Sequence, residues 1–260
     1  MHIEEKLMRS EDGNRTYRIR IARPTQPPPP SGYPVLYVLD ANAVFGTAAE
    51  AVNVQGRRAD KTGVVPSLVV GIGYPSEEPF PPDRHYDFTL DSDPAVLPSH
   101  PRGEQWPPQG GARQFLSFLE RCLKPEIARS YAVDASRQTL FGHSLGGLFT
   151  LYALFASPGA FRTYIAGSPS IHWNKSSIFA EEAAFASRGE ADDELRLLIA
   201  VGSLEENHKS RMVDHARELS ERLTALKRPG LRVEYRSFED DNHVSLLPGL
   251  ISRAIRFAVG

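Results

Sequence analysis

RQTLFGHSLGGLFTLYALF, from Arg137 to Phe155, passes from a hydrophobic strand pattern through a glycine-flanked serine into an apolar helix pattern. Gly142-His143-Ser144-Leu145-Gly146 fits G-x-S-x-G, and the strand before it and helix after it supply the context that motif requires. On so sharp a turn, side chains at the flanking positions have no room. The turn lifts the Ser144 hydroxyl above the sheet edge and aims the Leu145 N–H, at the helix start, toward an oxyanion on an attacked carbonyl. Gly147 lets the helix approach the strand closely. The bland reading is a glycine-rich turn with a spectator serine, and the flanking strand and helix argue against it.

Outward from this stretch, buried strands and helices alternate. YPVLYVLD, ending at Asp40, and SLVVGIGY are near-continuous apolar runs, as expected of strands covered on both faces. RTYRIRIARP alternates like a strand with one wet face. A helix is expected from about Ala43 to Arg58 and another over GARQFLSFLERCLKPEIARSY. Downstream, FRTYIAG, ELRLLIAVGS and LRVEYRSFED read as strands. SSIFAEEAAFASRG, KSRMVDHARELSERLTAL and SLLPGLISRAIRFAV read as helices. The pattern predicts an α/β fold with a mostly parallel sheet covered on both faces. No linker divides the 260 residues, so one domain over 1–260 is expected, with a long Pro-rich loop insertion at about 75–111.

Composition bounds the function. The net charge is −2, with Lys and Arg scattered, which predicts neither nucleic-acid nor membrane partners. The start, MHIEEKLMRSEDG, is polar and acidic, unlike a signal peptide. A cytoplasmic location is the default expectation, and a periplasmic or secreted one holds if a leader was trimmed. The single cysteine, Cys122, forms no internal disulfide and reads as a structural residue at helical spacing. His85, Asp87 and His100 lack regular metal-ligand spacing, so no metal or other cofactor is expected. Oligomeric state is not legible.

A serine alcohol needs a base, and on a turn of this kind the acid and then the histidine follow the serine. His172, His208, His215 and His243 lie downstream. His243, in FEDDNHVSLLPGL, falls between the last strand and last helix, at the carboxyl edge where ligand sites gather. It is the expected general base. His215, among charged residues on a helix, reads as solvated, and His208 as exposed. His172, in SPSIHWN, is a substrate-wall candidate. For the acid, Glu205 comes first and Glu206 second, both after the strand ending at Gly202. Glu205 also suits a helix start, and a Ser-His pair without a carboxylate stays open. The second oxyanion N–H is expected from Ala41 or Asn42, and Asn42 also reads as a turn residue.

YVLDANAVF, DRHYDFT, GGARQFLSFL, FGHSLGGLFTLYAL, GSPSIHWN, VGSLEENH and NHVSLLPGL occur in one order across Tyr37 to Leu250. In these pieces the chain resembles the putative-esterase branch of the α/β-hydrolases, and within it the trilactone siderophore esterases that open enterobactin-type macrocycles. The resemblance implies the α/β-hydrolase fold and a serine esterase acting on a small-molecule carboxylic ester, extending to siderophore trilactone or catecholate esters, through an acyl-enzyme. It implies Ser144 as nucleophile, His243 as base, and a substrate wall of Arg84, Tyr86, Asp87, Ser168 and Trp173. Ala41 stands where a glycine is usual, and His172 where a second aromatic is common. Arg84 suits an anionic or catecholate group because guanidinium pairs with planar oxyanions, and Trp173 suits an aromatic acyl group. The alternatives are a feruloyl- or acetyl-type small-ester hydrolase, and a catalytically silent α/β-hydrolase binding module.

Overall fold

In the computed structural model, residues 1–91, 97–100, 102–188 and 194–259 are described. Eight strands form one sheet in the order β1-β2-β4-β3-β5-β6-β7-β8. They are β1 (His2–Arg9), β2 (Thr16–Arg23), β3 (Tyr33–Val38), β4 (Leu68–Gly73), β5 (Val133–His143), β6 (Thr163–Gly167), β7 (Leu195–Gly202) and β8 (Leu231–Phe238). β3 to β8 pair in parallel, while β1 and β2 join antiparallel at one edge. The apolar runs read as doubly covered strands are so: every residue of β3, β4 and β6 is buried.

Helices cover both faces. α1 (Ala41–Gly56) and α9 (Leu246–Val259) share one core with Val38, Val69, Ile165 and Leu198. The opposite face carries α4 (Ala112–Phe118), α5 (Lys124–Ser130), α6 (Leu145–Ala156), α7 (Lys175–Ser187) and α8 (Met212–Ala225). Between α1 and α4 lie two short helices, α2 (Ala59–Thr62) and α3 (Asp83–Phe88). Residues Leu145 to Phe155 of α6 are all buried, which is why LGGLFTLYALF is apolar around the whole helix and not along one stripe.

Four points depart from the sequence reading. The polar start MHIEEKLMR is strand β1, paired residue for residue with β2. Its outer position leaves Ile3 and Leu7 about 60% exposed, at 59% and 62%. Cross-links carry what apolar burial does not: Lys6 pairs with Glu126 at 2.6 Å and Tyr131 donates to Glu4 at 2.9 Å. The loop at 75–111 contains α3, so part of it is regular; its residues 92–96 and 101 lie outside the described residues. The expected single helix after Gly111 is interrupted by a π-helical turn at Leu119–Leu123. His215, expected in solvent, is 8% exposed on α8.

Candidate active site

Ser144 follows β5 directly and precedes α6. Its backbone has φ 59° and ψ −119°, a conformation that costs a non-glycine residue about 1–3 kcal/mol and persists only where the surroundings enforce it. The enforcement is steric. A Cβ on Gly142 would lie 2.1 Å from the Gly146 carbonyl oxygen, and one on Gly147 2.7 Å from that of Gly167. The turn and the packing of α6 on the sheet therefore need both glycines.

The loops after β5, β6, β7 and β8 converge at the carboxyl edge of the sheet. Ser144, Leu145, Ser170, Glu205 and His243 border one cavity of about 420 Å³ there. His243 Nδ1 and Glu205 Oε2 are 2.7 Å apart. The other oxygen of Glu205 accepts from Ser168 Oγ at 2.5 Å and from the Gly202 N–H at 2.8 Å. Glu205 is 4% exposed. Burial alone would raise its pKa, but the hydrogen bonds from His243, Ser168 and Gly202 prevail and hold it below the usual carboxylate range. The arrangement fits an imidazole whose Nδ1 is tied to a carboxylate, leaving Nε2 free to exchange a proton. His143 packs its ring 4.5 Å from that of His243, centroid to centroid. Burial and the neighbouring His243 push its own pKa down to about 3.

The far wall is aromatic. His85 stacks on Trp106 at 5.4 Å, and Trp106 meets Trp173 edge-on at 4.6 Å. Trp173 is fixed by its indole N–H, which donates to Gln109 Oε1 at 2.7 Å. His172 borders the same cavity, as expected of a wall residue. Burial, then neighbouring imidazoles, push its pKa down to about 4, and burial with the Arg84 charge does the same for His85. Both are neutral at pH 7. His208, exposed as expected, also borders the cavity. Trp106 and His85 were not read from the sequence as wall residues; their signal was only that they lie in the unusually long connection.

Arg84 borders the cavity but is 8% exposed, its Nε and Nη2 bonded to the two oxygens of Asp40 at 2.7 and 2.8 Å. It ties α3 to the end of β3. Three wall expectations do not match the placement. Tyr86 borders a different cavity, with Arg15 stacked 5.1 Å over its ring. Asp87 is buried on that same side, bonded to Arg15, Tyr17 and Tyr74. The reason is helical: residues 83, 86 and 87 share one face of α3, while Arg84 and His85 project to the other. Ser168 is 0% exposed and serves Glu205, not the wall. The Asn42 side chain accepts from the Tyr74 N–H at 2.8 Å and donates to the Ser76 carbonyl at 2.7 Å, a turn role that leaves its backbone N–H, the group expected to serve an oxyanion, out of these bonds. Glu206 carries an exposed side chain that faces Arg217 at 3.6 Å. Among the described residues no group of His, Cys, Asp and Glu suits a metal ion, and no helix is long and apolar enough to cross a membrane.

The profile of the putative-esterase family matches residues 10–246. The chain is 54% identical to the ferri-bacillibactin esterase BesA of Bacillus subtilis over 257 residues, covering 98% of this chain and 89% of that protein. It is 35% identical to the siderophore enterobactin esterase of Emericella nidulans, covering 85% of this chain and 80% of that one. The crystal structure of the BES protein from Bacillus cereus superposes with a TM-score of 0.91 at 43% identity, covering 99% of this chain and 96% of that one.

Proposed function

The chain belongs to the putative-esterase family and is a carboxylic ester hydrolase of the α/β-hydrolase type, and from that premise we propose that it opens the ester bonds of siderophore trilactones through an acyl-enzyme on Ser144. The observation that carries the residue roles is the Glu205–His243 bond at the rim of the cavity that also holds Ser144. His243 takes the Ser144 proton as the hydroxyl oxygen attacks the ester carbonyl. The Leu145 N–H, at the start of α6, stabilises the oxyanion. His243 protonates the leaving alcohol and then activates water to free the acyl group. Glu205, held ionised, fixes the imidazole and supports its positive charge.

The cavity suits the substrate class in size and lining. At about 420 Å³ it admits one aryl-bearing arm and not a whole macrocycle. Trp106, Trp173 and the neutral His85 and His172 offer stacking faces to a catecholate ring. Arg84 sets a cation beside them, already pinned by Asp40.

The test is a panel of a catecholate trilactone, feruloyl esters and 4-nitrophenyl acetate, with mass spectrometry after fluorophosphonate treatment. The expected result is a kcat/KM for the trilactone at least tenfold above the others, and a phosphonyl adduct on Ser144 that Ser144→Ala abolishes. Preference for the feruloyl or acetyl esters would make the chain a small-ester hydrolase. Absence of both adduct and turnover would leave a silent binding module.

A further inference from the structure

The Ser170 hydroxyl has no part in the mechanism just given, yet its oxygen lies 3.2 Å from that of Ser144. Ser170 is 5% exposed and borders the cavity. Its main chain is anchored independently of its side chain. The Ser170 N–H donates to the Ser144 carbonyl at 3.1 Å, and its own carbonyl accepts from the Trp173 N–H at 3.0 Å. Pro169 stiffens the approach, its Cα within 3.1 Å of where a Cβ on Gly147 would sit. Two hydroxyls are thus held together by the backbone of the nucleophile turn and the loop after β6.

In such a pair either oxygen can donate. A hydroxyl carries one proton and two lone pairs. Once Ser144 directs its proton to His243, the hydrogen shared with Ser170 must come from Ser170. We propose, resting on the reading of Ser144 as nucleophile, that Ser170 is a further catalytic residue, whose O–H donates to Ser144 Oγ throughout the cycle. On attack, the Ser144 proton moves to His243, an Oγ electron pair forms the bond to the carbonyl carbon, and the C=O π pair moves onto oxygen. Collapse expels the alcohol, which takes the proton from His243. In the second half a water proton moves to His243 while the water oxygen bonds to the acyl carbon. The carbon–Oγ bond then breaks, its pair returns to Oγ, and His243 gives the proton back. Ser170 keeps its own proton in every step.

The donated hydrogen bond has opposite consequences in the two halves. It draws electron density from Oγ when that oxygen must attack. It supports Oγ when that oxygen must leave with charge, and hydrogen bonds to charged oxygen are the stronger kind. Loss of the Ser170 hydroxyl therefore slows deacylation more than acylation. A full oxyanion donor is worth about 10²–10³ in rate; a single hydroxyl on the leaving oxygen is placed lower, at about 10- to 100-fold.

The experiment compares wild type, Ser170→Ala and Ser170→Cys in stopped-flow with 4-nitrophenyl acetate, with circular dichroism as the control for folding. Cysteine keeps the volume and donates weakly, so it reports on the hydroxyl should alanine unsettle the loop. Both variants are expected to lose about 10- to 100-fold in kcat with KM falling or unchanged, and to show a burst approaching one acyl group per enzyme. A kcat within about threefold of wild type in a folded variant, or a loss carried wholly by KM, overturns the proposal. Fluorophosphonate labelling separates the two readings. No adduct on wild-type Ser144 removes the nucleophile and this role with it; an adduct together with a wild-type kcat in the variants removes only Ser170.

Discussion

Glu205 and Asp87 are both buried carboxylates with three hydrogen-bond donors, and their pKa values move in opposite directions. Glu205 accepts from Ser168, the Gly202 N–H and His243, and its pKa is lowered. Asp87, 1% exposed, accepts from Arg15, Tyr17 and Tyr74, and burial keeps its pKa raised despite them. The chemical difference lies in the partners. A guanidinium and two phenols act here only as donors, whereas an imidazole can take up and return a proton within a reaction. Asp87 lies away from the Ser144 cavity, clamping β2, β4 and α3, and Glu205 lies on its edge. A buried, well-bonded carboxylate is therefore no mark of catalysis by itself; what matters is whether its partner can relay a proton and borders the cavity.

The widest split between the two should appear in turnover. Glu205→Gln is expected to lower kcat by about 10²–10⁴ with little change in KM, as loss of the orienting carboxylate does in serine hydrolases. Asp87→Asn should leave kcat within about threefold. A loss of kcat as large in Asp87→Asn as in Glu205→Gln would erase the distinction. Stability should reverse the order. Asp87→Asn weakens a bond to a charged group in the core and should cost about 1–3 kcal/mol, or roughly 3–10 °C in Tm by calorimetry.

His143 sharpens the comparison with pH. Its folded pKa of about 3 lies below the unfolded value near 6.5. Between those values the unfolded chain binds a proton that the folded protein lacks, so stability falls as pH falls through that window. The loss attributable to His143 is about 2 kcal/mol from pH 6.5 to 5. Glu205 begins to act only at lower pH: its depressed pKa gives stability that is present above the unfolded value near 4.3 and lost below it. Urea titrations of wild type and His143→Phe at pH 7 and pH 5 should show wild type losing about 2 kcal/mol more than the variant. Equal losses would mean the imidazole takes up its proton without leaving its place beside His243. The smallest effect is expected at Tyr86, which the resemblance placed in the wall. Tyr86→Phe should change trilactone KM by less than about twofold, and a larger change would bring its cavity back into substrate binding.

The nucleophile turn was legible because its constraint is local: Gly142, Ser144 and Gly147 meet within six residues of chain. His243 and Glu205 were legible because strand order alone puts the ends of β7 and β8 beside that turn. The wall was only half legible. A polar, proline-rich run hides the six residues of α3, and without that helix nothing separates Arg84 and His85 from Tyr86 and Asp87. β1 was missed because its polar run forms the edge of the sheet, and the side chains that cross-link it, Glu126 and Tyr131, lie more than a hundred positions away. Ser170 was in view within GSPSIHWN, but a serine's distance to another serine 26 residues earlier is written only in three dimensions.

The crowding around Gly142 and Gly147 also fixes where this scaffold has room to change. With carbonyl oxygens 2.1 and 2.7 Å from any added Cβ, the floor beneath the nucleophile accepts no larger side chain. New acyl specificities must therefore be written on the opposite bank, at His85, Trp106 and His172, where altering a ring leaves the bend untouched. A mutational library confined to those three positions samples selectivity with the hydrolytic machinery left in place.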